Sequence, residues 1–134
     1  MDTQANSVIR VLIVEDDVTL RKAIRHVVNS GLNADCILAK NGNEAWDILL
    51  ANTFDIIISD WNMPRKSGDE LLFEVRSHDR TKNTPFLMLT SRSDKDSLIT
   101  AMQAGVTDYV IKPFTPVVLL GKMHKLLNLR AVID

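Results

Sequence analysis

Residues able to do chemistry follow four separate apolar runs of this sequence. They are Glu15, Asp16, Asp17, Asp60, Thr90, Ser91 and Lys112. The runs before them are rich in β-branched and aliphatic residues, which suits β-strands. The carboxyl ends of parallel strands meet at one edge of a sheet, and ligands bind there. The sequence therefore predicts a site with three or four acids, two hydroxyls and one lysine.

The chemistry of such a site follows from its charges. Carboxylates about 4 Å apart repel by about 1 kcal/mol in water and by several times more in a partly dry cleft. Oxygen ligands without an accompanying His or Cys favour Mg²⁺ over zinc. A lysine opposite the metal adds a second positive charge, and a hydroxyl with backbone N–H groups can bind a further oxygen. Such a set suits a phosphoryl group, and an aspartate can itself attack phosphorus to form an acyl phosphate.

Each of these residues has a simpler interpretation when it is taken alone. Acids that follow a strand are commonly solvated or cap a helix, and we expect Asp17 to be such a cap. A lone Asp60 is more often a turn residue than a nucleophile, and Thr90 and Ser91 can serve loop hydrogen bonding. The shared placement of these residues at successive strand ends is what favours a site.

The apolar pattern predicts five repeats of a strand followed by a helix. We expect strands at 8–14, 36–39, 54–59, 86–90 and 109–111, and helices at 18–31, from 42, from 68, from 94 to 105 and from 115 to about 129. Gly31 and Gly105 are expected to end two of the helices, and Thr115 with Pro116 to begin the last. Parallel strands joined by helical crossovers form a sheet with helices on both faces. The predicted fold is α/β and doubly wound.

Composition limits the class of protein. The 134 residues fit one domain with a core of its own. A net charge of -1 gives no sign of the basic surface that binds nucleic acid or an anionic membrane. The single Cys36 favours a reducing compartment, and neither a secretory signal nor a membrane-spanning run is visible. We therefore expect a cytoplasmic protein without nucleic-acid or membrane partners.

Several short motifs together give the sequence a family resemblance. They are Val14-Glu15-Asp16-Asp17, Ser59-Asp60-Trp61-Asn62-Met63-Pro64, Gly68, Leu89-Thr90-Ser91, Gly105-Val106-Thr107-Asp108-Tyr109 and Lys112-Pro113-Phe114. In this order they resemble the receiver domains of bacterial two-component response regulators over about residues 8–129. The run 60–64 is especially similar to that of single-domain chemotaxis regulators. The resemblance implies a five-stranded, flavodoxin-like sheet with strand order 2-1-3-4-5.

The resemblance also implies roles for individual residues, and they fall on the predicted site. Asp60 matches the phospho-acceptor, Asp16 a direct Mg²⁺ ligand, and Glu15 the acid that holds the metal, often through water. The backbone carbonyl of Asn62 matches a further metal ligand, and Lys112 pairs with the phosphoryl group. Thr90 matches a switch hydroxyl that moves towards the phosphoryl group. Tyr109 matches the aromatic ring whose rotamer follows that movement.

The function that the resemblance implies is a reversible signalling switch, which catalyses only its own phosphorylation and dephosphorylation. The phosphoryl donor would be a histidine kinase, a phosphotransfer protein or a small acyl phosphate. The output would pass to a protein target or a fused output domain, and a homodimer is possible. Residues 1–7 are expected to be a disordered extension, 8–129 the receiver, and 130–134 a tail or linker.

Three other interpretations have to be weighed against the switch. An aspartate-dependent Mg²⁺ phosphatase of the haloacid dehalogenase type needs a second acid two residues after the nucleophile, where this sequence has Asn62. A flavodoxin-like module binds phosphate with a Gly-, Ser- and Thr-rich loop, whereas the loop after residue 14 is acidic. A receiver-like module that is never phosphorylated would not need all five site positions.

The last predicted helix presents two apolar stripes. Leu119, Met123, Leu126 and Leu127 are expected to face the sheet. Val117, Leu120 and His124 fall on an adjoining stripe, which is expected to be at least partly exposed. In the resembled family this side of the molecule commonly docks partners, so Val117 and Leu120 are candidates for a contact that depends on phosphorylation.

Overall fold

Strands and helices alternate along the chain in the predicted order. The structure is a computed structural model that describes residues 8–63 and 65–133, with side chains up to residue 128. The strands are β1 (Ile9–Val14), β2 (Ala34–Ala39), β3 (Ile56–Asp60), β4 (Phe86–Thr90) and β5 (Asp108–Ile111). The helices are α1 (Val18–Gly31), α2 (Gly42–Ala51), α3 (Gly68–Ser77), α4 (Lys95–Ala104) and α5 (Pro116–Ile133).

The five strands form one parallel sheet in the order β2-β1-β3-β4-β5. This confirms the doubly wound α/β fold and the strand order. The central strands β3 and β4 are buried along their whole length. Continuous apolar runs suit such strands because both faces of the sheet are covered. The carboxyl ends of β1, β3, β4 and β5 therefore lie along one edge of the sheet.

Alternate residues of each strand enter two separate cores. One core is formed under α2, α3 and α4 and contains Leu12, Ile57, Leu71, Leu72, Val75 and Met88. The other is formed under α1 and α5 and contains Ile13, Ile24, Val28, Ile58, Leu89 and Met123. Since a strand directs successive side chains to opposite faces, the two cores share the same backbone and fix its register.

The helix ends follow the predicted capping chemistry. Asp17 accepts a hydrogen bond from the Leu20 N–H at 2.9 Å, which confirms it as the cap of α1. Asp94 caps α4 through the Ser97 N–H, and Gly105 ends that helix in the left-handed conformation with φ 112°. Glycine adopts this conformation without the steric cost that a Cβ brings. Asp17 thus sets where α1 begins after β1. Asp94 and Gly105 set where α4 begins after β4 and ends before β5.

The end of α1 at Gly31 is as predicted, but the capping role expected of Gly31 and the predicted end of the last helix are wrong. Gly31 is the last helical residue of α1 and not its cap, and it has no positive φ. Its role is steric, because a Cβ there would lie 2.6 Å from Leu120 Cδ1. The last helix continues to Ile133 and does not end near Leu129. Val132 and Ile133 continue the helical spacing past Leu129, so the prediction ended this helix too early.

The inward stripe of α5 is confirmed. Leu119, Met123 and Leu126 are buried, and Leu127 is half-buried against the same core. In the adjoining stripe Val117 is 81% exposed, whereas Leu120 is half-buried beside Gly31 of α1. The two residues that the sequence pairs in one exposed stripe therefore have different surroundings.

Arg76 of α3 joins two loops at the edge of the sheet opposite the predicted site. Its guanidinium donates hydrogen bonds to the carbonyl oxygens of Gly105, Lys82 and Thr84 at 3.0, 3.1 and 2.7 Å. It also donates to Thr107 Oγ1 at 3.3 Å. Burial lowers the pKa of Arg76. The end of α3 is thus tied to the segments before β4 and β5.

The predicted disordered extension, residues 1–7, lies outside the described residues, and the predicted domain limits stay predictions. None of the helices within the described ranges combines the length and the hydrophobicity needed to cross a bilayer.

Candidate functional site

Three acids from two strand ends meet at the carboxyl edge of the sheet. Glu15 and Asp16 follow β1, and Asp60 is the last residue of β3. Oxygen atoms from the three carboxylates lie within 4.8 Å of one another. Glu15 and Asp60 are buried, whereas Asp16 is exposed. The cluster therefore opens to solvent on the side of Asp16.

Lys112, after β5, places its ammonium between two of these acids. Nζ donates hydrogen bonds to Glu15 Oε1 at 2.9 Å and to Asp60 Oδ1 at 3.0 Å. Burial alone would lower the pKa of Lys112, but the two carboxylates raise it overall. The lysine is therefore charged at neutral pH and bridges strands β1, β3 and β5 across the site.

Glu15 is the most strongly perturbed acid of the cluster. Burial raises its pKa to about 7, although the hydrogen bond from Lys112 acts in the opposite direction. Its other oxygen, Oε2, accepts a hydrogen bond from the Asp17 N–H at 3.2 Å. Further positive charge at this site would favour the ionised form of Glu15 and lower its pKa.

The donor set fits a divalent, oxygen-loving cation. Three carboxylates and one ammonium leave two formal negative charges when all four groups are ionised. The ligand atoms are hard oxygens, which Mg²⁺ prefers. Asn62 is exposed in the loop after β3, two residues from Asp60.

Thr90 and Tyr109 lie outside the charged cluster. Thr90 ends β4 and is buried, and its Oγ1 accepts a hydrogen bond from the Arg92 N–H at 3.0 Å. Tyr109 lies on β5 opposite Met88 of β4 and is partly exposed. A small cavity of about 130 Å³ adjoins Thr90 and is lined by Trp61, Asn62, Met88, Arg92, Ser97 and Leu98.

Gly68 lies against the backbone at the end of β3. Its N–H donates a hydrogen bond to the Trp61 carbonyl at 2.9 Å. A Cβ at Gly68 would lie 2.5 Å from the Asp60 carbonyl oxygen and 2.8 Å from Trp61 Cα. The first turn of α3 can therefore reach the end of β3 only because residue 68 has no side chain.

The structure brings together four of the residues that the sequence predicts at the site: Glu15, Asp16, Asp60 and Lys112. Sequence reasoning missed that Lys112 also contacts Glu15, a residue 97 positions away. It also missed Arg21, whose guanidinium donates to the Glu15 carbonyl at 2.8 Å. No local signal marks either contact, since both depend on how the folded sheet brings α1 and the segment after β5 to the end of β1.

With this geometry established, comparison with known proteins gives a consistent result. The family model described as the response regulator receiver domain matches residues 11–124. The chain therefore belongs to the receiver-domain family of response regulators.

Individual relatives point to one branch of that family. The Helicobacter pylori (strain 26695) chemotaxis protein CheY1 is 40% identical over 120 residues, which is 89% of this chain and 97% of that protein. The Campylobacter jejuni chemotaxis protein CheY homolog is 38% identical over 89% of this chain and 92% of its own length. The solved structure of the Vibrio cholerae chemotaxis response regulator CheY4 is 32% identical, with a TM-score of 0.85 over 90% of this chain and 99% of that chain. This chain is a CheY-like receiver domain, which supports a role in signalling.

Proposed function

We propose that this chain is a phosphorylation switch in which Asp60 is the acceptor and Mg²⁺ the cofactor. The observation that carries the proposal is the position of Asp60, buried at the end of β3, 3.0 Å from the Lys112 ammonium and beside two more carboxylates. Glu15, Asp16, Asp60 and the Asn62 carbonyl would hold the metal. Mg²⁺ bound there would supply positive charge against the negative charge that develops on the phosphoryl oxygens.

In the proposed reaction Asp60 accepts the phosphoryl group, Lys112 pairs with it, and water later removes it. A carboxylate oxygen of Asp60 attacks phosphorus, and the bond from phosphorus to the donor oxygen or nitrogen breaks, with the electron pair leaving on the donor. Lys112 pairs with the transferred group by exchanging a carboxylate contact for a phosphoryl oxygen. In a separate hydrolysis step water attacks phosphorus, the bond from phosphorus to the Asp60 oxygen breaks, inorganic phosphate leaves, and the Asp60 carboxylate is restored.

The proposal is tested by exposing the protein to acetyl phosphate and Mg²⁺ and measuring its mass. The wild-type chain should gain one phosphoryl group and Asp60→Asn should gain none, because an amide oxygen is a poor nucleophile. Asp47→Asn, which removes an exposed acid of α2, should label like the wild type. Stoichiometric labelling of Asp60→Asn would overturn the assignment of the acceptor, and sustained turnover of aryl phosphates would favour a phosphatase.

We further propose that the donor is a histidine kinase or a phosphotransfer protein and that the output is a protein contact. The relatives are named chemotaxis proteins, so a component of a chemotaxis system is the first downstream partner to test. Thr90 and Tyr109 would transmit the state of Asp60 towards α4 and α5. Val117 is an exposed apolar residue on that side and is the candidate contact, whether the partner is a second protein or a second copy of this chain.

A further inference from the structure

Tyr109 has a helix on each side, and each helix provides a different contact. On the side of α4 it lines a groove of about 540 Å³ together with Leu98, Ile99 and Met102. On the side of α5 the Lys122 ammonium lies 5.3 Å from the centroid of the Tyr109 ring. A cation within about 6 Å of a ring face is attracted by the negative charge of that face.

The position of the Lys122 ammonium is fixed by a buried anion. Its Nζ donates to Asp108 Oδ1 at 3.0 Å, and the Asp108 side chain is only 9% exposed. The same oxygen accepts the Tyr109 backbone N–H at 2.8 Å. Asp108 therefore contacts the backbone of Tyr109, and Lys122 contacts its ring. Since Asp108 and Lys122 also contact each other, the three residues form a closed triangle.

Lys125 provides a natural comparison within the same cluster. Its ammonium binds the other Asp108 oxygen, Oδ2, at 3.2 Å and is more exposed than that of Lys122. Both lysines therefore neutralise the same carboxylate, but the ring contact belongs to Lys122. Substitution of each lysine in turn can therefore separate the loss of an ion pair with Asp108 from the loss of the contact with the Tyr109 ring.

We propose that Lys122 is a positioning residue for Tyr109: its ammonium, anchored on Asp108, holds the phenol ring in the orientation seen here. In this arrangement the ring leaves its present orientation only by giving up the contact with Lys122. The resistance of Tyr109 to reorientation is thus set from α5, by a residue that does not touch Asp60. The link from this resistance to signalling rests on the proposed function, whereas the hold on the ring does not.

The test uses the fact that Tyr109 is the only tyrosine of the chain. Full-length protein labelled with 3-fluorotyrosine then reports one ring environment by fluorine NMR. Lys122→Met keeps the aliphatic stem and removes the charge, so it should shift the ratio of ring orientations by about two- to five-fold. The change should appear as a displaced resonance and a larger solvent isotope shift. Lys122→Arg should retain the wild-type spectrum.

The matched control is Lys125→Met, which also removes one ammonium from Asp108. It should leave the fluorine resonance in its wild-type position, because Lys125 is not the lysine over the ring. A Lys122→Met spectrum that superimposes on the wild type would overturn the proposal. It would equally be overturned if Lys125→Met reproduced the change, since loss of charge at Asp108 would then be the cause.

Acetyl phosphate with Mg²⁺ separates this inference from the proposed function. Lys122→Met should gain one phosphoryl group like the wild type, and its ring resonance should move less on phosphorylation because the Lys122 contact is already lost. An equal movement in both proteins would refute the link to signalling. If the wild type gains no phosphoryl group, the proposed function fails, and the unphosphorylated spectra still decide the role of Lys122.

Discussion

Among single residues, Asp16 differs from the other two acids of the cluster in being exposed, while Glu15 and Asp60 are buried. Under the proposed function it is the ligand through which a metal would enter from solvent. Mg²⁺ should stabilise the wild-type fold by mass action, by about 2.7 kcal/mol when the free ion is a hundred-fold above its Kd. Asp16→Ala should lose most of this effect, as measured by the rise of the melting temperature on addition of MgCl₂.

The control for this metal prediction is Asp47→Ala, which removes an exposed acid far from the cluster. It should respond to Mg²⁺ like the wild type. Equal Mg²⁺ responses in the wild type and in Asp16→Ala would show that the metal, if it binds, does not use this carboxylate.

At the residue scale the sequence predicted that the three acids and the lysine meet, but not how they share their charges. Glu15, Asp16, Asp60 and Lys112 could be placed together because each follows an apolar run that ends at the same sheet edge. The bridge from Lys112 to both Glu15 and Asp60 could not be foreseen. It depends on rotamers and on burial, which are set only once the sheet has assembled and the segment after β5 has come to the ends of β1 and β3.

At the scale of elements, the buried Asp108 ties β5 to α5. Burial alone would raise its pKa, but hydrogen bonds from Lys122, the Tyr109 N–H and Lys125 lower it overall. A group whose pKa is lowered by folding stabilises the fold above its ordinary pKa of 3.8, and this contribution is lost as the pH falls through the folded value. Asp108→Asn should therefore cost about 1.5–3 kcal/mol at neutral pH.

The measurement is urea unfolding of the wild type and Asp108→Asn from neutral pH down to the acid limit of folding. The difference in unfolding free energy should be constant down to the ordinary pKa of Asp108 and shrink below it. A difference that stays constant under acid conditions would mean that the ionised carboxylate does not stabilise the link between β5 and α5.

The two apolar residues of the outer α5 stripe should behave differently when each is made charged. Val117→Asp should change the unfolding free energy by no more than about 0.5 kcal/mol, because the side chain is 81% exposed. Leu120→Lys should cost about 2 kcal/mol or more, because it removes packing against Gly31 and places a charge in a half-buried position.

Thermal unfolding checks these stabilities, and sedimentation after acetyl phosphate treatment checks self-association. Under the proposed function, Val117→Asp should weaken a phosphorylation-dependent contact without loss of fold. Equal stability of the two variants would show that Leu120 does not support the packing of α1 on α5.

For the molecule as a whole, the order of the elements and the doubly wound class follow from the sequence. Runs such as 56–58 and 86–89 are apolar throughout and bounded by turn residues, so they predict strands covered on both faces. The strand order came from the family resemblance, since local pattern does not say which strands are neighbours. No sequence signal predicted the hydrogen bonds of Arg76, because its partners are backbone carbonyls of loops that meet only in the folded chain.

The contact of Gly68 with the Asp60 backbone has a consequence for how this sequence tolerates change. A side chain at residue 68 would meet main-chain atoms that cannot rotate away, so Gly68→Ala should cost about 1–3 kcal/mol and displace the end of β3 that carries Asp60. Gly121, within α5, has open space around it, and Gly121→Ala should stabilise the fold by about 1 kcal/mol. All single substitutions can be scored by thermal unfolding and by labelling with acetyl phosphate. Position 68 should then be as intolerant as a chemically active residue, although it carries no functional group. Position 121 should accept most replacements. Intolerance at position 68 would thus report the fit of α3 against β3. Under the proposed function, inherited variation there would alter phosphorylation without touching a reactive atom.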